Sequence, residues 1–139
     1  MLVHHGTTSK AAELIIPGAG PPAISVGLGG GELGRGFYTT SQPAIAAAWA
    51  NGYFGAGNAA ILEGNLDVGR YVALSQVVLN WNQVYNTWMQ LRYQGAERTH
   101  TFGSDVVYGP LATYSHADQH KFESRSAEVY LNAQSWRVM

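Results

Sequence analysis

The sequence predicts a mixed α+β domain with more strand than helix, on three observations. Short runs rich in β-branched and aromatic residues alternate with short segments of helical period. Hydrophobic residues make up 46% of the 139 and charged residues 12%, about half the charge usual for soluble domains, so the chain can bury a core and is not of the disordered type. A stretch from Gly18 to Gly36 holds eight glycines and two prolines and separates the first elements from the rest as a long irregular loop.

The elements follow in order. Leu2–His5 reads as a strand ended by Gly6-Thr7-Thr8, and Ser9 as the N-cap of a helix from Lys10 to Ile16 that Pro17-Gly18 closes. Phe37–Thr40 is a short strand. Ser41 then caps a helix with Pro43 near its first position, where a missing N–H costs nothing, and Asn51-Gly52 stops it. Ala59–Leu66 and Arg70–Leu74 are strand candidates. Asn80 caps a helix whose Val84, Trp88 and Leu91 recur at helical spacing. Asp105–Pro110 and His120–Ser124 are strands, Ala127–Ala133 a helix, and Trp136–Val138 a last strand. At this length, residues 1–139 form a single domain, either a whole small protein or the end of a larger one.

Composition narrows the function. The net charge is −1 and the eight Lys and Arg are scattered, so electrostatic capture of nucleic acid is not the main activity. With no cysteine, disulfides, thiolate zinc sites and cysteine nucleophiles are excluded. No apolar run is long enough for a membrane span, and the first residues lack a signal-peptide pattern.

Several chemical-looking signals fail. Gly29–Gly34 matches G-x-G-x-x-G but follows a loop and leads into a strand, whereas a dinucleotide phosphate site needs a helix N-terminus behind the glycines. His4 and His5 point to opposite faces of one strand, and His100, His116 and His120 lack zinc spacing, so no metal is expected. There is no G-x-S-x-G elbow.

Three segments are more specific: His5-Gly6-Thr7-Thr8; Gly34-Arg35-Gly36-Phe37-Tyr38-Thr39-Thr40-Ser41 with Trp49-Ala50 following; and Asp105-Val106-Val107-Tyr108-Gly109-Pro110-Leu111 with Gln119 beyond. In this order they resemble the ADP-ribosyltransferase superfamily, in its His-Tyr-Glu branch of diphtheria-type toxins and poly(ADP-ribose) polymerases, and more narrowly its small microbial effector-type domains. The resemblance implies a split β-sheet core with short flanking helices and a cleft for NAD⁺. It implies that His5 hydrogen-bonds the adenosine ribose, that the Gly6 backbone binds the nicotinamide carboxamide, and that Tyr38 and Trp49 stack on the nicotinamide. It implies further that Thr7, Gly36, Phe37 and Thr39 line the same site, and that His5 and Tyr38 face each other across one crevice. No metal is implied.

Two positions depart from the family. The serine that bonds the carboxamide is Ala46 here. The catalytic glutamate falls at Gln119, with Glu123 and Glu128 as alternatives, and an amide brings no negative charge to a developing cation. The resemblance implies mono-ADP-ribosyl transfer to a macromolecular or small-molecule acceptor. NAD⁺ glycohydrolysis and a non-catalytic binding module are the alternatives. A toxin of this kind implies a neutralising partner protein and a place of action in a cytoplasm, its own or that of a target cell.

Overall fold

A computed structural model describes residues 1–18 and 20–139. These form strands β1 (Leu2–Thr8), β2 (Phe37–Thr39), β3 (Ala59–Asn65), β4 (Gln76–Val78), β5 (Val106–Pro110), β6 (Asp118–Phe122) and β7 (Ser135–Val138). Between them lie helices α1 (Ser9–Ile15), α2 (Pro43–Phe54), α3 (Val68–Tyr71), α4 (Trp81–Gln94) and α5 (Arg125–Asn132). The class is α+β, with two sheets, but helices hold more of the chain than strands, the reverse of the expected balance.

Local chemistry explains the boundaries. Thr8, not Ser9, caps α1, its hydroxyl accepting from Ala11 N at 3.0 Å, so β1 runs three residues further than expected. Ser41 does not cap α2, because its backbone N–H and hydroxyl both donate to Asp118 (3.0 and 2.8 Å); Gln42 takes the cap position without a side-chain bond. The helix continues past Asn51-Gly52 to Phe54. The strand expected at 70–74 is instead helical at its start: Asp67 accepts from Arg70 N at 3.0 Å and opens α3, overriding the β preference of Tyr71 and Val72. α4 begins at Asn80 as expected, with a reciprocal capping box to Gln83, and ends on Gly95 in the left-handed conformation.

One sheet has the order β1-β3-β7, all antiparallel, and the other β2-β6-β5-β4, with β4 parallel to β5. A single backbone bridge joins them: His4 N donates to Thr40 O (2.8 Å) and Thr40 N to His4 O (2.9 Å). Beyond that bridge no backbone hydrogen bond joins β1 to β2 among the described residues.

Side-chain alternation gives the second sheet two faces. Phe37, Val106 and Phe122 join Val3 and the Ala127, Tyr130 and Leu131 face of α5 in the larger core cluster. Val107 joins Leu33, Val84 of α4 and Ala112 on the other side, where Tyr38 also packs. Burying each such aliphatic or aromatic side chain contributes about 1.5–3 kcal/mol. The loop after α1 is anchored to α5: Ile24 exchanges two hydrogen bonds with the Asn132 amide (2.8 and 3.0 Å), and Val26 N donates to Glu128 (3.1 Å). Its glycine-rich end is fixed by Gly31 N to Glu97 O (3.2 Å) and Arg35 N to His100 O (2.8 Å).

Candidate functional site

The split between β1 and β2 leaves one backbone edge open at Gly6. His4 directs its N–H and C=O at Thr40, and backbone polar groups alternate along a strand, so Gly6 directs its pair to the same side. Its register partner on β3, Ile61, is turned the other way and accepts from Met139 N at 2.9 Å. Neither Gly6 group meets a hydrogen-bond partner among the described residues. On its other side Gly6 is covered by α2: a Cβ there would collide with the Ala46 carbonyl oxygen and lie 3.2 Å from Ala50. The glycine is thus required by helix packing whatever the edge binds.

His5 closes part of the same gap. Its Nδ1 lies 2.6 Å from Tyr38 O. A carbonyl only accepts, so Nδ1 carries the proton and Nε2 is the acceptor. The ring stacks on Phe37 at 3.9 Å and 16°. Burial lowers its pKa to about 4, against the raising effect of the Tyr38 carbonyl, so at neutral pH the ring is uncharged. Because the folded value lies below the ordinary 6.5, His5 favours folding above pH 6.5, and this contribution is lost as pH falls from 6.5 to 4. The ring is half-buried, which trims the loss to about 1–2 kcal/mol. Urea unfolding at pH 7.5 and 4.5 is expected to show that loss in the wild type and a clearly smaller one in His5→Gln; equal losses would contradict it.

Tyr38 is fixed at both ends of its hydroxyl, donating to Gly34 O (2.6 Å) and accepting from Leu33 N (3.0 Å). Its ring packs against Gly31, whose missing Cβ makes the room. Burial raises its pKa strongly; the Leu33 N–H opposes this, and the nearby Glu32 and Glu123 carboxylates and Tyr53 reinforce it. The phenol stays protonated. The expectation that imidazole and phenol face each other across one crevice does not hold. The His5 ring lies on Phe37, and Phe37 and Tyr38 are neighbours on β2, so the two rings occupy opposite faces of that strand. What joins them is the Tyr38 carbonyl. On the Tyr38 side stand Gly6's α2-covered face, Gln119 and Lys121, since Tyr38 is in register with Lys121 and His4 with Thr40.

The third position is tightly built into the fold. Gln119 is 1% exposed, and its amide nitrogen donates to Glu32 Oε1 (2.9 Å) and Pro110 O (3.0 Å). Glu123 forms a buried ion pair with Lys121 at 2.6 Å, and its second oxygen accepts from the backbone N–H groups of Phe102 (2.7 Å), Gly103 (2.9 Å) and Ser104 (3.4 Å). Burial pushes the Lys121 pKa down; Glu123 opposes that and nearby Arg35 adds to it. Glu128 holds Val26 N and Arg125 (2.6 Å). Glu123 and Glu128 are therefore occupied as anchors. The carboxylate that does touch Gln119 is Glu32, from the glycine-rich loop, which also accepts from Ala112 N at 2.8 Å. Sequence reasoning passed over Glu32 because it sits inside the failed G-x-G-x-x-G match; only the fold brings residues 32 and 119 together.

The remaining expected residues divide. Phe37 is a core residue, 5% exposed, beneath His5. Thr39 is buried with its hydroxyl unpartnered, and Thr7 is buried in β1. Gly36 leaves room for the Lys121 side chain and Phe122 carbonyl. Trp49 is half-buried on α2, the helix over Gly6. Asp105 opens its motif as a clamp: its carboxylate accepts from Ser75 N (2.8 Å), Ser75 Oγ (3.0 Å) and Ser124 Oγ (2.5 Å). Burial works to raise the pKa of Asp118, but the His120 imidazole 3.7 Å away and hydrogen bonds from Ser41 and Thr40 outweigh it and hold the carboxyl well below the usual carboxylate range. An open depression of about 400 Å³ lies beside Asp118, Tyr108 and Ser41, at the far end of β6 from Phe122; none of His5, Tyr38, Trp49 and Gln119 lines it. No helix among the described residues is long and apolar enough to cross a membrane. No protein-family model matches the chain, and no curated protein matches it.

Proposed function

We propose that this chain binds NAD⁺ at the split between β1 and β2 and acts as an ADP-ribosyltransferase, with an ADP-ribosyltransferase-like core. The observation that carries the reading is the open backbone edge at Gly6. A strand edge offers one N–H and one C=O side by side, and the nicotinamide carboxamide offers the complementary acceptor and donor. The reading gives the flat, electron-poor ring two aromatic partners, Tyr38, whose hydroxyl is doubly fixed, and Trp49, carried on α2, the helix that covers Gly6. His5, with Nε2 as a free acceptor, takes a ribose hydroxyl on the other side of β2.

In the reaction the bond between nicotinamide nitrogen and ribose C1′ breaks and its electron pair leaves with nicotinamide. C1′ becomes cation-like, an acceptor nucleophile bonds to it from the opposite face, and the acceptor's proton goes to solvent. Products are nicotinamide, ADP-ribosylated acceptor and one proton.

Incubating the protein with NAD⁺ and cell extract is expected to release nicotinamide and leave ADP-ribose on an extract component, seen by mass spectrometry. Free ADP-ribose alone would assign the acceptor role to water. Trp49→Ala is expected to weaken NAD⁺ use about tenfold, the scale of one lost aromatic stack. Absence of both nicotinamide release and NAD⁺ binding overturns the reading.

A further inference from the structure

The depression of about 400 Å³ at the far end of β6 has a chemistry of its own. It is bounded by the turn that leads into α2, the end of β5 and the residues that connect β5 to β6. Its volume falls within the range of small-ligand sites, roughly 300–1,000 Å³. No lysine or arginine lines it, and its one carboxylate is Asp118.

The fold uses only half of that carboxylate. Three donors converge on a single oxygen: Thr40 Oγ1 (3.0 Å), Ser41 N (3.0 Å) and Ser41 Oγ (2.8 Å) all reach Oδ1. No described residue donates to Oδ2 within hydrogen-bond distance; its neighbour there is His120 Nε2 at 3.7 Å. Asp105, a structural clamp, shows the contrast, with Ser75 on one oxygen and Ser124 on the other. Pinning the turn into α2 therefore explains Oδ1 and leaves Oδ2 without a task. The Asp118 side chain keeps 21% of its surface and lines the depression. No lysine or arginine among the described residues pairs with it. Burial opposes ionisation, but the imidazole and the three donors outweigh it, so the charge persists. Gln42, on the same wall, has an enclosed side-chain oxygen that also meets no donor.

The rest of the wall suits an organic cation better than a metal ion. No three His, Asp or Glu among the described residues stand close enough to share a metal, and a hard cation takes about six oxygen ligands. Tyr108 meets His120 edge to face at 4.7 Å. Burial, and then the nearby Asp118 charge, raise its phenol pKa, so ring and carboxylate share one corner. Leu79 and Pro110 add apolar surface beside them. A guanidinium on an alkyl stem matches all three: it donates charge-assisted hydrogen bonds, lies against aromatic rings, and leaves water more readily than an ammonium does.

We infer that this depression binds a guanidinium-bearing ligand, with Asp118 Oδ2 accepting from its N–H groups, Tyr108 as its aromatic wall, and Leu79 and Pro110 along its alkyl stem. The site stands apart from the split between β1 and β2 and does not depend on the NAD⁺ reading. Its head group is shared by free alkylguanidines and by arginine side chains of a polypeptide.

Butylguanidine and its neutral isostere butylurea, titrated into the whole chain and followed by amide chemical shifts, separate charge from shape. Butylguanidine is expected to move the signals of residues 41–42, 108–109 and 115–118 and to bind at least about tenfold more tightly than butylurea, the scale of one charge-assisted hydrogen bond. A capped Ala-Arg-Ala peptide that binds more tightly than butylguanidine assigns the site to a polypeptide; one that binds no more tightly assigns it to a free small molecule. Asp118→Asn keeps an Oδ1 acceptor for Thr40 and Ser41, so its melting temperature is expected to stay within a few degrees. It is expected to weaken butylguanidine about tenfold and to leave butylurea unchanged. The wild-type comparison decides by itself if that variant does not fold. No binding of butylguanidine, equal affinity for the two isosteres, shifts confined to other residues, or an Asp118→Asn protein that binds butylguanidine as the wild type does overturns the assignment.

Discussion

Lys121→Met is expected to destabilise the fold by about 3–5 kcal/mol, the scale seen when one partner of a buried ion pair is removed. Lys121 has no exposed surface; its ammonium sits 2.6 Å from Glu123 Oε1 and 5.1 Å from the Phe102 ring centroid. Methionine fills most of the same space and leaves the Glu123 carboxylate charged in the interior. That carboxylate keeps its backbone donors at 102–104, but hydrogen bonds alone do not cancel a buried charge. Glu123→Ala is expected to cost as much or more, since it strands both the ammonium and those N–H groups. Lys121→Met combined with Glu123→Gln, by contrast, removes both charges and keeps an acceptor for the N–H groups. Its cost is expected to fall below that of Lys121→Met alone, because no uncompensated charge is left in the interior. Urea unfolding reads all four proteins. A Lys121→Met variant within about 1 kcal/mol of wild type would mean that the pair is more solvated than its burial indicates.

The pair also shows where sequence reading stops. His120–Ser124 reads as a strand, and β6 does occupy Asp118–Phe122. Nothing local, however, tells Lys121 from a solvated lysine. Its partner is two residues away on the same strand face, and its enclosure comes from the His100–Ser104 segment crossing over it. The same holds at Glu32, whose partner at position 119 is fixed by the glycine-rich loop docking on Glu97 and His100. Helix α4 was legible because its signal is local: Asn80, Gln83 and a Val84, Trp88, Leu91 stripe lie within one segment. Residues 70–74 read as a strand on the β preference of Tyr71 and Val72, whereas the Asp67 cap that starts α3 lies upstream of them. The His5 and Tyr38 segments were placed on strands correctly, but the faces were not. Which side of β2 a ring occupies depends on its register with β6 and on the His4–Thr40 bridge, and neither is encoded within residues 34–41.

Gly6→Ala is the variant expected to tell packing from ligand recognition at the split. The new methyl group meets the Ala46 carbonyl oxygen, which is main chain and cannot rotate away, so α2 must shift outward. Overpacking of this kind costs about 1–3 kcal/mol, and the upper end applies because the obstacle is rigid. Adding Ala50→Gly removes the neighbouring Cβ contact at 3.2 Å but leaves the carbonyl in place, so it is not expected to restore stability. The open N–H and C=O of residue 6 are still present in Gly6→Ala, because the substitution changes no backbone atom. If those groups hold the carboxamide and α2 only supports them, NAD⁺ affinity measured by calorimetry falls along with stability, because α2 carries Trp49. If affinity is unchanged while stability drops by the expected amount, the displaced α2, and Trp49 with it, takes no part in holding the ligand. The test works because the two demands on Gly6 come from different directions: the helix presses on its Cα, and the ligand engages its peptide edge.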